Sequence, residues 1–276
     1  MRNIANIATH LRGVANLKIR ARARFRIPTR RLLWDRNSLF EAVLLVRIRR
    51  TAAAEEFAWG MRRDDPKWLA IMGIMSYSGG TVLAMAGKDC VCIASDLRLG
   101  EQMTTIATDF PKIAQIAERV YLGVGGFHSD TKTIIDKMNF RRVLYELRES
   151  RHLRPEVAAT MLSNLQYHHR FGSYFAEPII AGLDMDTLKP YICGMDTIGC
   201  IAAPRDFVAV GTGAEYLLGV CEGFWRPDMN SEELFEATAQ SLLSGLERDA
   251  ASGWGALVYT VTKDKVNVKT IKARMD

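Results

Sequence analysis

The chain has 276 residues, 48% of them apolar and 25% charged, the balance of a globular protein rather than a disordered one. Its formal charge of +6 is unevenly spread: residues 1–71 hold 16 Lys+Arg against 6 Asp+Glu, and residues 72–276 hold 21 against 25. The basicity is confined to the first quarter, so the overall charge says nothing about nucleic-acid binding by the rest, and no apolar stretch reaches the roughly 18–20 residues of a membrane span.

Residues 1–71 are rich in arginine (Arg20, Arg22, Arg24, Arg26, Arg30 and Arg31) and show no sustained helical or strand period. They are expected to be an unstructured basic extension, or a leader foreign to the natural protein. A targeting peptide and an RNA-binding arm are the alternatives. Glu55, Glu56, Asp64 and Asp65 argue against the first of these. The composition changes at Met72, where the natural chain is expected to begin, so residues 72–276 form the folded domain.

From Ile74 onward the pattern is ordered. Thr81–Gly87 and Cys90–Asp96 read as two strands joined at Lys88-Asp89, and Arg119–Gly126 as a third. Asp130–Leu147 reads as a helix, with Ile134/Met138 and Phe140/Leu144/Leu147 at helical spacing. Pro155 opens a second helix, which runs to about Arg170. Strands follow at Pro178–Leu183, Pro190–Met195 and Phe207–Val210. A helix begins near Asn230, with Glu233 completing a capping box and Phe235, Ala239, Leu242 and Leu246 on one face. Two strands, Ala256–Val261 and Val266–Ile271, close the chain. Segregated strands and helices predict an α+β fold of packed antiparallel sheets with helices outside, rather than βαβ alternation.

The five cysteines, Cys90, Cys92, Cys193, Cys200 and Cys221, are odd in number and contain no C-x-x-C pair. They read as reduced, mostly buried thiols rather than disulfides or zinc ligands. His168-His169 has no partner at metal spacing and reads as helix surface. Met72, Met75 and Met85 read as core or start signals, so no metal site or cofactor is expected.

Six short motifs stand in order: Gly79-Gly80-Thr81, Ile93-Ala94-Ser95-Asp96, Asp109-Phe110-Pro111-Lys112, Gly123-Val124-Gly125-Gly126, Gly211-Thr212-Gly213 and Arg248-Asp249-Ala250-Ala251-Ser252-Gly253. Together they resemble proteasome beta subunits, members of the N-terminal-nucleophile hydrolases, across about residues 74–276. Longer strings narrow the resemblance to a catalytically silent branch of that family. They are Ile74–Gly80, Arg170–Ile179, Met195–Cys200 and the terminal Lys272-Ala273-Arg274-Met275-Asp276. The resemblance implies a four-layer αββα sandwich. It also implies a place in a beta ring, stacked on a second beta ring and on an alpha ring, in cytoplasm and nucleus. The implied partners are beta subunits of the same and the opposite ring, alpha subunits and assembly chaperones, with no nucleic acid, no membrane and no cofactor.

Active members cut peptides with an N-terminal threonine, whose proton passes to its own α-amine or a nearby water. By resemblance Asp96 and Lys112 match the ion pair that tunes that threonine, and Gly126 the oxyanion glycine. Asp249 and Ser252 match the supporting acid and hydroxyl, and Thr212 stands where the family has serine. The threonine itself should lie sixteen residues before the aspartate, and that position is Gly80. Thr81 follows a glycine, so cleavage at Gly80-Thr81 to yield an active peptidase is the alternative. One residue of slip along a strand, however, turns a side chain to the opposite face, away from Lys112, unless a bulge intervenes. The expectation is a non-catalytic subunit of a threonine-type endopeptidase complex that serves ring assembly in ubiquitin-dependent degradation. Asp196 and Cys200 are expected, by resemblance, to face the substrate pocket of a neighbouring trypsin-like subunit. A turn-capping role for Asp196 is the plainer reading.

Overall fold

The computed structural model describes residues 73–275. The basic segment 1–71 and the expected start at Met72 lie outside them. After a helical turn, α1 (Ile74–Tyr77), the chain runs through β1 (Thr81–Ala86), β2 (Val91–Asp96), a small hairpin of β3 (Leu99–Glu101) and β4 (Thr104–Ala107), β5 (Ile113–Ala117) and β6 (Val120–Gly126). Two helices follow, α2 (His128–Glu149) and α3 (Pro155–His168), then β7 (Ala176–Leu183), β8 (Pro190–Met195), β9 (Ile201–Ala202) and β10 (Phe207–Gly211). Helices α4 (Ala214–Phe224) and α5 (Ser231–Leu246) precede the closing strands β11 (Ala256–Val261) and β12 (Val266–Ile271).

Two five-stranded antiparallel sheets result, in the orders β10-β1-β2-β11-β12 and β5-β6-β7-β8-β9. The central strands β1, β2, β6 and β7 are mostly apolar runs, because both of their faces are covered, whereas the edge strand β12 is largely exposed. The period of two still sorts the side chains. In the first sheet Val82, Ala84, Val91 and Ile93 turn inward to meet Tyr121, Ile179, Ala181 and Leu183 of the second sheet. Their neighbours Leu83, Met85, Cys92 and Ala94 turn outward onto Leu217 and Cys221 of α4 and Leu234, Leu242 and Leu246 of α5. On the other side Leu122, Val124 and Ile180 pack under Ile134 and Met138 of α2 and Leu162 and Leu165 of α3. The described residues therefore form a four-layer αββα sandwich, as expected. Full burial of each such Leu, Ile or Met side chain contributes about 1.5–3 kcal/mol.

Several elements were not legible in the sequence. Helix α4 contains Gly219 and Gly223, which break up its apolar face to the eye, and β3, β4, β5 and β9 are short. The α2 stripe is narrower than its spacing suggested: Ile134 and Met138 are fully buried, whereas Phe140 and Leu147 stand on the outer face, 65% and 74% exposed. Four cysteines are buried and free, and Cys200 is exposed and free. The α5 capping box is present: Glu233 Oε2 accepts the Asn230 N–H at 3.1 Å, and the Asn230 side chain bonds the Glu233 backbone in return. Replacing Asn230 with alanine should lower the stability of the chain by about 1 kcal/mol in urea unfolding. An unchanged midpoint would show that α5 is held by packing alone.

Candidate active site

The residues singled out by resemblance converge where β1 begins, β2 ends and the α5–β11 loop passes. Asp96 is fully buried and its carboxylate accepts four hydrogen atoms. Oδ1 takes the ammonium of Lys112 at 2.8 Å and the Thr81 N–H at 2.9 Å; Oδ2 takes the N–H groups of Arg98 at 3.1 Å and Gly253 at 3.3 Å. That fills the acceptor capacity of a carboxylate. Lys112, 6% exposed, also donates to the carbonyl oxygens of Arg98 at 2.6 Å and Asp96 at 3.3 Å. Burial pulls its pKa below the usual lysine value, Asp96 pushes it back up, and the Arg98 charge lowers it. Three acceptors for three protons fit the ammonium form.

A second network lies on the other side of β1. Asp249 Oδ2 accepts from Thr212 Oγ1 and from Ser252 Oγ, each at 2.6 Å, and its Oδ1 takes the Ala251 N–H at 2.9 Å. With its proton given to Asp249, Ser252 Oγ accepts from Thr81 Oγ1 across 2.7 Å, and Thr81 Oγ1 in turn accepts the Gly213 N–H at 3.1 Å. Thr212, at the position where the resemblance puts a serine, thus directs its hydroxyl to Asp249.

Gly80 and Thr81 divide these two networks between them. A Cβ placed on Gly80 would sit 2.3 Å from Lys112 Cε and 3.2 Å from Nζ, so position 80 points at the lysine. Thr81, fully buried, points at Ser252. β1 pairs with both neighbours in unbroken register, Thr81 opposite Gly211 and Val82 opposite Ser95, so no bulge brings the Thr81 hydroxyl across. The side chain facing Lys112 is missing, and the lysine stem fills its volume. Gly80 also has φ +117°, a conformation that residues with a Cβ rarely adopt.

Arg98 belongs to this centre and was not foreseen, although it stands only two residues after Asp96. It is 2% exposed, and its guanidinium donates to Thr105 Oγ1 at 3.1 Å and to the carbonyl oxygens of Ala251 at 2.9 Å, Gln102 at 3.1 Å and Thr104 at 3.4 Å. It ties the β3–β4 hairpin to the α5–β11 loop. The segment before β1 is also fixed: Gln102 N–H bonds the Tyr77 carbonyl at 2.8 Å, Gly100 N–H the Ser78 carbonyl at 3.2 Å, and Tyr77 Oη the Glu101 carboxylate at 2.5 Å. Ser78 and Gly79 form one wall of a cavity of about 220 Å³ shared with Lys112, Gly126 and His128. Burial, followed by the charges of Lys112 and Lys132, lowers the His128 pKa. Gly126, the expected oxyanion glycine, therefore opens onto the same space as Lys112.

Asp196 and Cys200 lie elsewhere, on the exposed turn after β8. Asp196 Oδ1 accepts the N–H groups of Ile198 at 3.0 Å and Cys200 at 2.8 Å, so the turn-capping role is present. Among the described residues no cluster of His, Cys, Asp and Glu has the makings of a metal site.

The Asp96–Lys112 pair invites a double-mutant cycle. Asp96→Ala strands a buried ammonium and should cost about 3–5 kcal/mol in chemical denaturation, whereas Asp96→Ala/Lys112→Met should lose far less than the two single losses combined. Additive losses would contradict a coupled buried pair.

The buried Lys112–Asp96 pair thus faces a position without a side chain, and comparisons with known proteins show the family of the chain. The family model for proteasome subunits matches residues 76–261. The chain is 71% identical to the proteasome subunit beta type-3 of Caenorhabditis elegans over 205 residues, which is 74% of this chain and 100% of the relative. Over the same shares it is 52% identical to proteasome subunit beta type-3 of Drosophila melanogaster and 48% identical to proteasome subunit beta type-3-A of Arabidopsis thaliana. The chain belongs to the proteasome subunit family.

Proposed function

We propose that this chain is a non-catalytic, structural beta subunit of the proteasome core particle, needed for building the beta ring and for completing a neighbouring subunit's substrate pocket. The observation that carries this reading is Gly80: the position facing Lys112 has no side-chain oxygen, and the Lys112 stem occupies the space. The ion pair, the hydroxyl network and the Gly126 turn serve the fold rather than chemistry, because each polar atom of the pair is bonded inside the chain. Keeping such a pair is easier than losing half of it, since removal of one partner leaves the other charge buried alone.

The alternative, an active peptidase using Thr81 after cleavage at Gly80-Thr81, needs its hydroxyl beside the lysine. Thr81 instead donates toward Ser252, and its N–H is held by Asp96. The partners in this reading are beta subunits of the same and opposite rings, alpha subunits and assembly chaperones. The setting is ubiquitin-dependent protein degradation in cytoplasm and nucleus. Neither nucleic acid nor membrane is a partner. The natural chain starts near Met72 in this reading. The full-length match of the beta type-3 relatives over 205 residues, the number from Met72 to Asp276, supports it.

Treatment of assembled particles with a peptide epoxide or boronate, followed by intact-mass spectrometry, tests the proposal. Sister subunits should gain the mass of the inhibitor and this chain should gain nothing. An adduct on Thr81 would overturn the reading.

A further inference from the structure

Helix α3 carries two polar side chains that the site described above does not use. Ser163 and Gln166 are three residues apart and therefore lie on one face of the helix. Both reach the turn at 196–200. Ser163 Oγ donates to the Gly199 carbonyl at 2.6 Å. Gln166 Nε2 donates to the Asp196 carbonyl at 3.0 Å and to the Ala176 carbonyl at 3.2 Å. Gly199 sits at φ +90°, and a Cβ there would lie 2.6 Å from the Ser163 carbonyl oxygen and 3.2 Å from Gln166 Cβ, so the turn lies flush on the helix. The turn is closed from within by the Gly199 N–H to Asp196 carbonyl bond at 3.2 Å and by the two N–H groups on Asp196 Oδ1.

Gln166 is fully buried, and its Oε1 has no hydrogen-bond partner among the described residues. A buried acceptor without a partner is destabilising, and a residue that only filled this space would do better as an apolar side chain of the same size. What the glutamine contributes instead is its pair of donated bonds, one of which fixes the backbone of Asp196. The outcome is an exposed carboxylate with Oδ1 committed to its own turn and no bond within the chain to Oδ2 among the described residues. A carboxylate held this way loses little freedom when a cation arrives, which is what preorganised recognition requires.

We propose that Ser163 and Gln166 are positioning residues: they hold the 196–200 turn so that the Asp196 carboxylate presents one oxygen to a Lys or Arg side chain of a peptide in the neighbouring subunit's groove. This rests on the reading of Asp196 and Cys200 as part of that pocket. The two can fail separately.

The experiment uses assembled particles carrying Asp196→Asn, Gln166→Met, Ser163→Ala or Ser163→Thr, with reporter peptides cleaved after basic and after aromatic residues. Asp196→Asn, Gln166→Met and Ser163→Ala should each raise KM for the basic reporter by about two- to fivefold at unchanged kcat, the size expected of one solvent-exposed charge pair. Ser163→Thr keeps the hydroxyl and should restore the wild-type KM. Cleavage after aromatic residues should not change. If Asp196→Asn raises KM while Gln166→Met and Ser163→Ala do not, the positioning role is wrong and the pocket reading survives. If Asp196→Asn leaves KM unchanged, the pocket reading falls and the inference with it. Equal loss of both activities in the variants would assign these residues to ring assembly and also overturn the proposal. Should Gln166→Met fail to assemble, the Ser163→Ala and Ser163→Thr pair still decides.

Discussion

A lysine ammonium and an aspartate carboxylate, 2.8 Å apart and nearly sealed from water, organise the centre of this molecule. Neither charge could stay buried without the other, because each would face several kcal/mol of desolvation with no compensation. The pair therefore dictates what surrounds it. Asp96 must end β2 where the N–H groups of Thr81, Arg98 and Gly253 converge, and Lys112 must reach from the start of the second sheet to the carbonyl oxygens of Asp96 and Arg98. These bonds link the two sheets, the β3–β4 hairpin and the α5–β11 loop at one point. Position 80, which faces the lysine, is a glycine, and the lysine stem occupies the space a side chain there would fill. In the reading proposed above, the arrangement is a structural clasp.

Arg98 extends that clasp. Its guanidinium binds carbonyl oxygens from the hairpin and from the α5–β11 loop, and it packs close to Gly79 and Gly100. The hairpin in turn holds the Tyr77 and Ser78 carbonyl oxygens by backbone hydrogen bonds, so the segment leading into β1 is fastened against the cavity that Lys112 and Gly126 line. In the proposed reading this segment stays uncut, because glycine at position 80 provides no nucleophile behind it to release.

Part of this was legible in the sequence. The resemblance to beta subunits set position 80 against Lys112 and Asp96, and the alternation of side chains along a strand then turned position 81 away. The capping box of α5 was legible because Asn230 and Glu233 act locally. Arg98 was missed because a lone arginine after an acidic residue reads as surface, and only the fold shows the hairpin closing over it. Helix α4 was missed because Gly219 and Gly223 resemble turn signals, while its packing on Leu83 and Met85 depends on tertiary contacts. Phe140 and Leu147 were placed on an apolar stripe by spacing, yet α2 is held through Thr131, Ile134 and Met138 and leaves the other two outside. Gln166 gave no signal at all: an amide on a helix becomes informative only once its two acceptors are known.

The central claim is that the chain keeps its peptide bonds through Gly79-Gly80-Thr81 while Lys112 and Asp96 close on each other. Top-down mass spectrometry of this subunit released from assembled particles tests it most directly. The account predicts a chain whose N-terminal fragments run unbroken through Tyr77-Ser78-Gly79-Gly80-Thr81. A mature chain beginning at Gly80 or at Thr81 would contradict it.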